Sequence, residues 1–368
     1  MIYLDNGATS FHKPVEVGRA MQWALARCAN PGRGGHRGAM TAARTVYDCR
    51  EKAADFFDCL PEQVVFTHNC THGLNIAVNS LIKPGGRVLI TGFEHNAVTR
   101  PLHARRAEII VAGRKLFDWE DTLNRFEEGL KKGVDGAVFT HCSNVFGYIL
   151  PVQEMAYLCR KYGVPFAVDA AQSAGVLPVS LDGWGADFVA MPGHKGLLGP
   201  QGTGILLCKG EAKALLQGGT GSNSKMQEMP EDLPDKLEAG TLNVPGIAGL
   251  GAGIQYLKNE GIRRVFDREK QAAQVCIDGL KKLGYTVFSG ENQSGTVSFV
   301  GKTDCEELAD KLGKRGIAVR AGLHCAPFAH ASAGTLETGT VRVSFGHDAS
   351  AQQAKTFLNI LKQVQGGD

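Results

Sequence analysis

The stretch Ala186-Asp-Phe-Val-Ala-Met-Pro-Gly-His-Lys-Gly-Leu-Leu-Gly-Pro-Gln-Gly-Thr-Gly204 places one lysine in a glycine-rich turn after a short apolar run. The run from Phe188 to Met191 predicts a buried strand, and Pro192-Gly193 ends it. Lys195 follows two residues later. A lysine that loses hydration at such a position deprotonates more easily, and its free amine can form a Schiff base with an aldehyde. The alternative is an ordinary solvated loop lysine.

A carboxylate occupies the equivalent place on a neighbouring strand. The segment Val164-Pro-Phe-Ala-Val168 predicts a strand, and Asp169-Ala-Ala-Gln-Ser173 follows it. Because parallel strands end at the same edge of a sheet, we expect Asp169 and Lys195 to share that edge. Pyridoxal 5'-phosphate (PLP) needs a lysine for its aldehyde and an acid for its ring nitrogen. The pair therefore predicts a PLP site.

Composition limits the class of protein. The 368 residues suggest about two domains, and 43% hydrophobic with 21% charged residues is typical of a soluble globular protein. Forty basic and 37 acidic residues give a net charge of +3, which does not favour nucleic-acid binding. No apolar run has the length of a membrane span, and the N-terminus does not resemble a signal peptide. Ten cysteines without Cys-x-x-Cys spacing indicate a reducing, cytoplasmic compartment.

Strand and helix patterns alternate through the first two thirds of the chain, which predicts an α/β fold with a mainly parallel seven-stranded sheet. The strand patterns cover 63–67, 87–91, 107–111, 136–140, 165–169, 188–191 and 204–208, and helical patterns cover 71–82, 118–132 and 151–162. A polar segment, 217–244, interrupts them and predicts a long functional loop. One long helical pattern, 251–283, then leads into a smaller α+β domain with strands at 285–288, 296–300 and 341–345 and helices at 305–315 and 350–364.

Polar residues follow several of the predicted strands. Thr71 lies at a strand-to-helix turn, where helix N–H groups and a hydroxyl can bind phosphate, or where it simply caps the helix. His95 can stack on an aromatic cofactor or cap the next helix. Asn144 can donate a hydrogen bond to a phenolic oxygen, or it is a generic loop residue.

The second domain contains the segment Arg320-Ala-Gly-Leu-His-Cys-Ala-Pro327. Positive neighbours favour the thiolate form of Cys325, and the flanking glycine and proline predict an exposed loop. Most cysteines are merely small hydrophobic residues, and this is the alternative here. Arg342 begins a predicted strand, where its planar guanidinium suits a substrate carboxylate; the alternative is a salt bridge at the rim.

These motifs together resemble the class V aminotransferase group of PLP enzymes, and most closely the NifS/Suf-type cysteine desulfurases and selenocysteine lyases. The resemblance runs from Tyr3-Leu-Asp-Asn-Gly-Ala-Thr9 to the Arg342 segment. It implies a fold-type I PLP-dependent transferase and a homodimer with active sites at the subunit interface. It also implies roles for matching residues: catalytic Lys195, Cys325 and His95; cofactor contacts by Lys195, Asp169, Gln172, His95, Thr71, Cys70, His194, Asn144 and Thr241; and substrate contacts by Arg342, Asn144 and Ala8.

The resemblance implies a specific role for each of these residues. Lys195 would bind the aldehyde, Asp169 the ring nitrogen and Gln172 the phenolic oxygen, and His95 would stack on the ring. Thr71 and His194 would hold the phosphate, while Thr241 would reach the neighbouring subunit's phosphate. Cys325 would be the nucleophile and would carry a persulfide.

Four departures from the family pattern bear on the substrate and the sulfur acceptor. Pro192 stands where a serine is common, and Cys70 replaces the first residue of a threonine pair, so two phosphate-binding hydroxyls are missing. The loop reads Gly-Leu-His-Cys instead of Gly-His-His-Cys. Residues 328–337 suggest a small insertion whose order the sequence leaves open.

The resulting expectation is a PLP-dependent cysteine desulfurase that converts L-cysteine to alanine and leaves a persulfide on Cys325 for an acceptor protein, in iron–sulfur cluster assembly. The alternatives are a selenocysteine lyase acting on L-selenocysteine, a class V aminotransferase or lyase that does not use the cysteine, and a metal-binding protein built on His324, Cys325 and His330. We expect no metal, no nucleic acid and no membrane as partners. The large PLP-binding domain is predicted to span 14–250, and the small domain 1–13 and 251–368.

Overall fold

The computed structural model describes residues 1–32, 34–222 and 224–366. Its strands are β1 Ile2–Tyr3, β2 Val64–Thr67, β3 Arg87–Thr91, β4 Glu108–Ala112, β5 Gly136–Thr140, β6 Phe166–Asp169, β7 Phe188–Pro192, β8 Gly204–Cys208, β9 Thr286–Phe288, β10 Thr296–Val300, β11 Ile317–Ala318, β12 Arg320–Gly322 and β13 Thr340–Ser344. Its helices are α1 Val15–Arg27, α2 Arg37–Phe56, α3 Cys70–Leu81, α4 Asn96–Ala104, α5 Trp119–Lys131, α6 Val152–Lys161, α7 Leu181–Trp184, α8 Val244–Glu260, α9 Ile262–Lys282, α10 Cys305–Lys314, α11 Pro327–Ala333 and α12 Ala351–Gly366.

The predicted seven-stranded sheet is confirmed. Its order is β2-β8-β7-β6-β5-β3-β4, and β8 runs antiparallel to both of its neighbours while the other pairs are parallel. The inner strands are buried on both faces, which explains why their sequences are continuous apolar runs. The connection from β4 back to β5 reverses the strand order beside β3, and ligands bind at such points beyond the carboxyl ends of the strands.

Helices cover both faces of this sheet. Alternate residues of one strand point to opposite faces, so Val138 belongs to one hydrophobic core and Phe139 to another. The Val138 core is completed by α3 and α4, and the Phe139 core by α2, α5, α6 and α8. This packing fixes the ends of β2, β3, β5, β6 and β7 relative to one another.

The long helical pattern at 251–283 is two helices, and the prediction of one helix was wrong. α8 begins earlier, at Val244, and ends at Glu260; the next residue, Gly261, has a φ of 85°, in the left-handed region that favours glycine. α9 then starts at Ile262. The polar segment before α8 contains no helix or strand within its described residues, as predicted for a long loop; position 223 lies outside them.

The C-terminal third forms a four-stranded antiparallel sheet, β12-β13-β10-β9, packed with α9, α10 and α12 around a third core. The chain's N-terminus joins it: β1 pairs with β11, and Leu4 is buried in the same core. The predicted domain limits remain a prediction; the 250/251 limit lies inside α8, and residues 367–368 lie outside the described chain. No helix in the described ranges is both long and apolar enough to cross a bilayer.

Candidate active site

A cavity of about 500 Å³ opens at the carboxyl ends of the central strands. We call it the front cavity. Most of its lining residues follow directly after β2, β3, β5, β6 or β7, as expected for the edge where parallel strands end. The lining residues are Asn69, Cys70, Thr71, His95, Ala97, Thr140, Cys142, Asn144, Asp169, Ala171, Gln172, Pro192, His194 and Lys195. The structure therefore brings most of the predicted site together.

Lys195 lies in a tight turn after β7. The turn is held by backbone hydrogen bonds from Gly193 to Thr203 and from Leu198 to Lys195, at 2.8 and 2.9 Å. A Cβ atom at position 193 would lie 2.1 Å from Thr203 Oγ1, so only glycine fits there. Burial lowers the pKa of the Lys195 amine, although the nearby Cys70 and Asp169 partly oppose that shift. The turn therefore presents an amine that loses its proton more easily than a solvated lysine.

Asp169 ends β6 with only 3% of its surface exposed. Its Oδ1 accepts hydrogen bonds from Ala171 N at 2.9 Å and from the Cys70 thiol at 3.5 Å. Burial raises the pKa of the Asp169 carboxyl, while these hydrogen bonds and the charge of Lys195 lower it in part. Burial and the Asp169 charge together raise the pKa of the Cys70 thiol, so Cys70 stays a neutral hydrogen-bond donor.

The turn between β2 and α3 differs from the prediction in one detail. Asn69, not Thr71, caps α3, because the Asn69 side chain accepts the His72 backbone N–H at 2.9 Å. Thr71 is the second residue of the helix and lines the front cavity. The first residues of α3 therefore line the cavity, and a helix N-terminus is a favourable place for an anion.

His95 caps α4, which confirms one of the two roles considered for it. Its Nδ1 accepts the Ala97 backbone N–H at 2.9 Å. Burial, helped by the charge of Lys195, lowers the pKa of His95 to about 4, so the ring is neutral at neutral pH. The imidazole that caps the helix also lines the cavity. Capping and stacking on a bound ring are compatible, and the stacking role stays a prediction.

The amides of Asn144 and Gln172 already have partners. Asn144 Nδ2 donates to the His324 carbonyl at 2.8 Å, and Gln172 Nε2 donates to the Gly7 carbonyl at 2.9 Å. Each amide nitrogen has a second hydrogen for a ligand. His194 Nδ1 lies 3.0 Å from Thr9 Oγ1, and burial lowers the pKa of His194 to about 4. Neutral His194 would therefore bind phosphate as a hydrogen-bond partner, without a positive charge.

Cys325 is the exposed cysteine among the described residues. His324 and Cys325 have φ values of 48° and 57°, so two consecutive non-glycine residues occupy the left-handed region. Two contacts hold this turn in place: Asn144 Nδ2 binds the His324 carbonyl, and Asn96 N donates to the Cys325 carbonyl at 2.7 Å. The turn is thus attached to the wall of the front cavity, which agrees with the predicted exposed loop.

Residues 328–337, whose order the sequence left open, form α11 and a turn. His330 is buried here, with Nδ1 2.8 Å from Thr335 Oγ1, and its ring centroid lies 5.8 Å from that of His324. No group of three or more His, Cys, Asp or Glu side chains suited to a metal ion occurs in the ranges that the structure describes. The His324 and His330 rings are structural contacts behind the Cys325 turn.

Arg342 lies in the middle of β13 and is 2% exposed, so both the prediction that it begins a strand and the alternative of a rim salt bridge were wrong. Its Nη2 lies 2.6 Å from Asp5 Oδ1, and Nη1 donates to the Asn144 carbonyl at 2.9 Å. Ala8 lies beside this pair and donates its N–H to the Asp5 carbonyl at 3.0 Å. A buried guanidinium needs such a partner, and Asp5 supplies it from the other end of the chain.

Thr241 lies away from the front cavity. It is exposed and lines a separate groove with Arg50 and Glu238. These two residues form a buried salt bridge with two 2.9 Å hydrogen bonds, and Glu238 also accepts Phe66 N at 2.7 Å. The bridge fixes the segment that contains Thr241 to β2. Sequence analysis missed Arg50, Asn96 and the role of Asp5, because their partners lie far away along the chain.

Comparison with known proteins identifies the family. The model of the family described as "Aminotransferase class-V" matches residues 2–357. A probable cysteine desulfurase of Methanothermobacter thermautotrophicus is 34% identical, and the match covers 99% of this chain and 95% of that protein. A protein of Haloferax volcanii named cysteine desulfurase is 31% identical over 94% of this chain and 85% of its own length.

A solved structure shows the same architecture. It is the apo structure of a cysteine desulfurase from Thermococcus onnurineus NA1, and it is 31% identical to this chain. The TM-score is 0.91, and the superposition covers 100% of this chain and 95% of the other. With the family model matching nearly the full length, these findings show that the chain belongs to the class V aminotransferase family.

Proposed function

We propose that the protein is a PLP-dependent cysteine desulfurase that moves the sulfur of L-cysteine onto Cys325 and releases alanine. One observation carries the proposal: the Lys195 amine and the Asp169 carboxyl line one cavity, and the Cys325 turn is attached to the wall of that cavity through Asn144. The cysteine desulfurases among the relatives support the same assignment.

The front cavity fits PLP. It lies beyond the carboxyl ends of the central strands, where ligands bind in sheets of this kind. The donor set also suits the cofactor: Lys195 for the aldehyde, Asp169 for the ring nitrogen, and the start of α3 with Thr71 and His194 for the phosphate. Bound PLP supplies an electron sink for the bond cleavage at the substrate's Cα and Cβ.

The chain's own residues then have distinct tasks. Asp169 holds a proton on the heterocycle, because a buried carboxylate favours a positively charged partner. Lys195 Nζ moves the Cα proton of the substrate. Arg342 binds the substrate carboxylate, and Cys325 Sγ attacks the substrate sulfur. A sulfur–sulfur bond forms as the carbon–sulfur bond breaks, and the proton of the substrate thiol ends on the methyl group of alanine.

The position of Thr241 supports a homodimer. Arg50 and Glu238 anchor its segment firmly, yet Thr241 is exposed and does not line the front cavity of its own chain. We therefore propose that Thr241 contacts the cofactor phosphate of a second copy. The exposed Cys325 would pass its sulfur to an acceptor protein, and ten free cysteines favour a reducing, cytoplasmic setting.

The test compares three purified variants with the wild type. Lys195→Ala should lose the yellow absorbance of the lysine-bound cofactor. Cys325→Ala should keep the absorbance and lose alanine release from L-cysteine by at least a hundredfold, while Cys59→Ala, a half-buried thiol elsewhere, should match the wild type. Wild-type desulfuration by Cys325→Ala would remove Cys325 from the mechanism.

The same assay separates the alternatives. Formation of a keto acid instead of alanine would identify an aminotransferase. Alanine release from L-selenocysteine that survives Cys325→Ala, with no release from L-cysteine by the wild type, would identify a selenocysteine lyase. A colourless protein that binds no PLP would contradict the proposed desulfurase and both of these alternatives.

A further inference from the structure

A second cavity lies on the other side of Lys195. We call it the back cavity; its polar lining residues are Asn6, Ser10, Gln172, Lys195, Glu269, Ser294, Thr296 and His347. It shares Ala171, Gln172 and Lys195 with the front cavity, so the lysine stands between the two. About 40 Å³ of the back cavity is open to the centres of water molecules, whereas one buried water needs about 10–15 Å³. The back cavity therefore has room for a short chain of waters.

Glu269 faces this cavity without a partner. The residue is 7% exposed, and no hydrogen bond to its carboxyl group occurs within the described residues. Buried carboxyl groups are nearly always hydrogen-bonded, because an unpaired one is costly. Gly295 keeps the space beside it free, since a Cβ atom there would lie 2.8 Å from Glu269 Oε2. The back cavity is large enough for water, and water is the kind of partner that could satisfy this carboxyl group.

The charged neighbours of Glu269 leave it able to hold a proton. Burial raises its pKa to about 8; Arg268, on the same helix, lowers the value, and Asp348 raises it. Arg268 is itself paired with Glu260 at 2.9 Å, and the exposed Asp348 lies 2.8 Å from His12. Two more titratable groups lie close to the carboxyl group from other elements, the buried Cys142 thiol and His347.

His347 connects the back cavity to the outside. Its side chain is half-buried, and its chain neighbour Asp348 is exposed. Burial lowers the pKa of His347, so the ring is neutral and can both accept and donate a proton. Lys195, Glu269 and His347 thus line the same cavity, together with apolar side chains such as Val265 and Phe345.

We propose that the back cavity is a proton-exchange route between Lys195 and solvent, in which Glu269 is the group that stores the proton. The proposal rests on the function proposed above, because it needs Lys195 to take a proton from a substrate carbon. The front cavity is where cofactor and substrate would bind, and the back cavity reaches Lys195 separately from it. A proton on Lys195 Nζ then passes through cavity water to the Glu269 carboxylate, and the reverse transfer returns it. Glu269 acts through Lys195 and is a positioning residue.

The exchange can be measured directly with L-alanine in D₂O. Lys195 removes the Cα proton, and solvent deuterium replaces it only if the lysine exchanges its protons before it returns one. Proton NMR of the PLP-loaded protein should show loss of the Cα signal with the wild type. Glu269→Gln should slow this loss at least tenfold, with unchanged cofactor absorbance and alanine affinity. Glu269→Asp should recover part of the rate, and Asp267→Asn, an exposed neighbour on α9, should equal the wild type.

A second variant and a second readout protect the test from folding effects. Gly295→Ala keeps the carboxyl group but crowds the cavity, and it should slow the exchange as well. In the protein without PLP, the melting temperature of Glu269→Gln should rise relative to that of the wild type as the pH rises from 5 to 9. The folded wild type holds a proton on Glu269 that the unfolded chain releases, so the wild type loses stability over that range.

The outcomes are separable. Equal exchange by Glu269→Gln and the wild type, with alanine still released from L-cysteine, overturns the proton route and leaves the proposed function intact. The proton route is also overturned, and the proposed function again kept, if the wild type releases alanine from L-cysteine but shows no exchange. Absence of both exchange and alanine release contradicts the proposed function itself.

Discussion

Asp169→Asn should have opposite effects on the protein with and without its cofactor. The carboxyl group is 3% exposed, and burial raises its pKa above the usual value for aspartate. A raised pKa in the folded state means that the protein loses stability as the pH rises above 3.8, the pKa of this carboxyl group in the unfolded chain. Replacing it with an amide removes this cost at neutral pH, and asparagine Oδ1 can still accept the Ala171 and Cys70 hydrogen bonds.

The size of each effect depends on whether PLP is bound. Without PLP, we expect the variant to be more stable at pH 7 by about 1 kcal/mol, or roughly 1–2 °C in melting temperature, with a smaller gain at pH 4. With PLP, the variant loses a charged hydrogen bond to the ring nitrogen, which contributes about 1.5–3 kcal/mol. The dissociation constant for PLP should therefore rise about 10- to 140-fold.

Two measurements check this pair of effects: thermal unfolding of the protein without PLP, and absorbance titration with PLP. Asp187→Asn is the control, because Asp187 is also a partly buried carboxylate with a raised pKa but lies at the opposite end of the sheet. Asp187→Asn should leave PLP affinity unchanged. A variant at 169 that binds PLP as tightly as the wild type would refute the pairing with the ring nitrogen.

Three other substitutions test the structure around the site. Arg50→Met should destabilise the protein by about 3–5 kcal/mol in urea unfolding, because it leaves Glu238 buried and unpaired, and the double variant with Glu238→Leu should recover most of the loss; a loss below about 1 kcal/mol would contradict the bridge's role. Asn144→Ala should lower alanine release about tenfold, since the His324 carbonyl loses its donor; an unchanged rate would show that the turn is held without Asn144. Burial raises the pKa of Glu94 to about 8. As the pH rises from 5 to 9, the free energy of unfolding of Glu94→Gln should therefore increase relative to the wild type by about 1–3 kcal/mol. A difference in stability that does not change with pH would contradict that shift.

The sheet and the core of the site could be predicted from the sequence because both follow local rules. Continuous apolar runs identify buried parallel strands, and residues after such strands meet at one edge. Lys195 and Asp169 satisfy both rules. Helix boundaries were harder to predict: Asn69 and Thr71 are both good N-cap residues two positions apart, and only the structure shows that Asn69 caps.

Long-range pairing could not be predicted. Arg342 is separated by 337 residues from Asp5, and no local pattern links them. The same holds for Arg50 with Glu238 and for the contact from Asn96 to Cys325, because each depends on how distant elements pack. Glu269 shows a further limit: its sequence position on a regular helix gives no sign that its carboxyl group lacks a partner.

The most direct test of the central claim identifies the lysine that binds the cofactor. The PLP-loaded protein is treated with borohydride, which makes the bond between aldehyde carbon and lysine nitrogen permanent, and the labelled peptide is identified by mass spectrometry. The account predicts one label per chain, on Lys195. A label on Lys13, the other lysine whose pKa is lowered by burial, or no label at all, would contradict it.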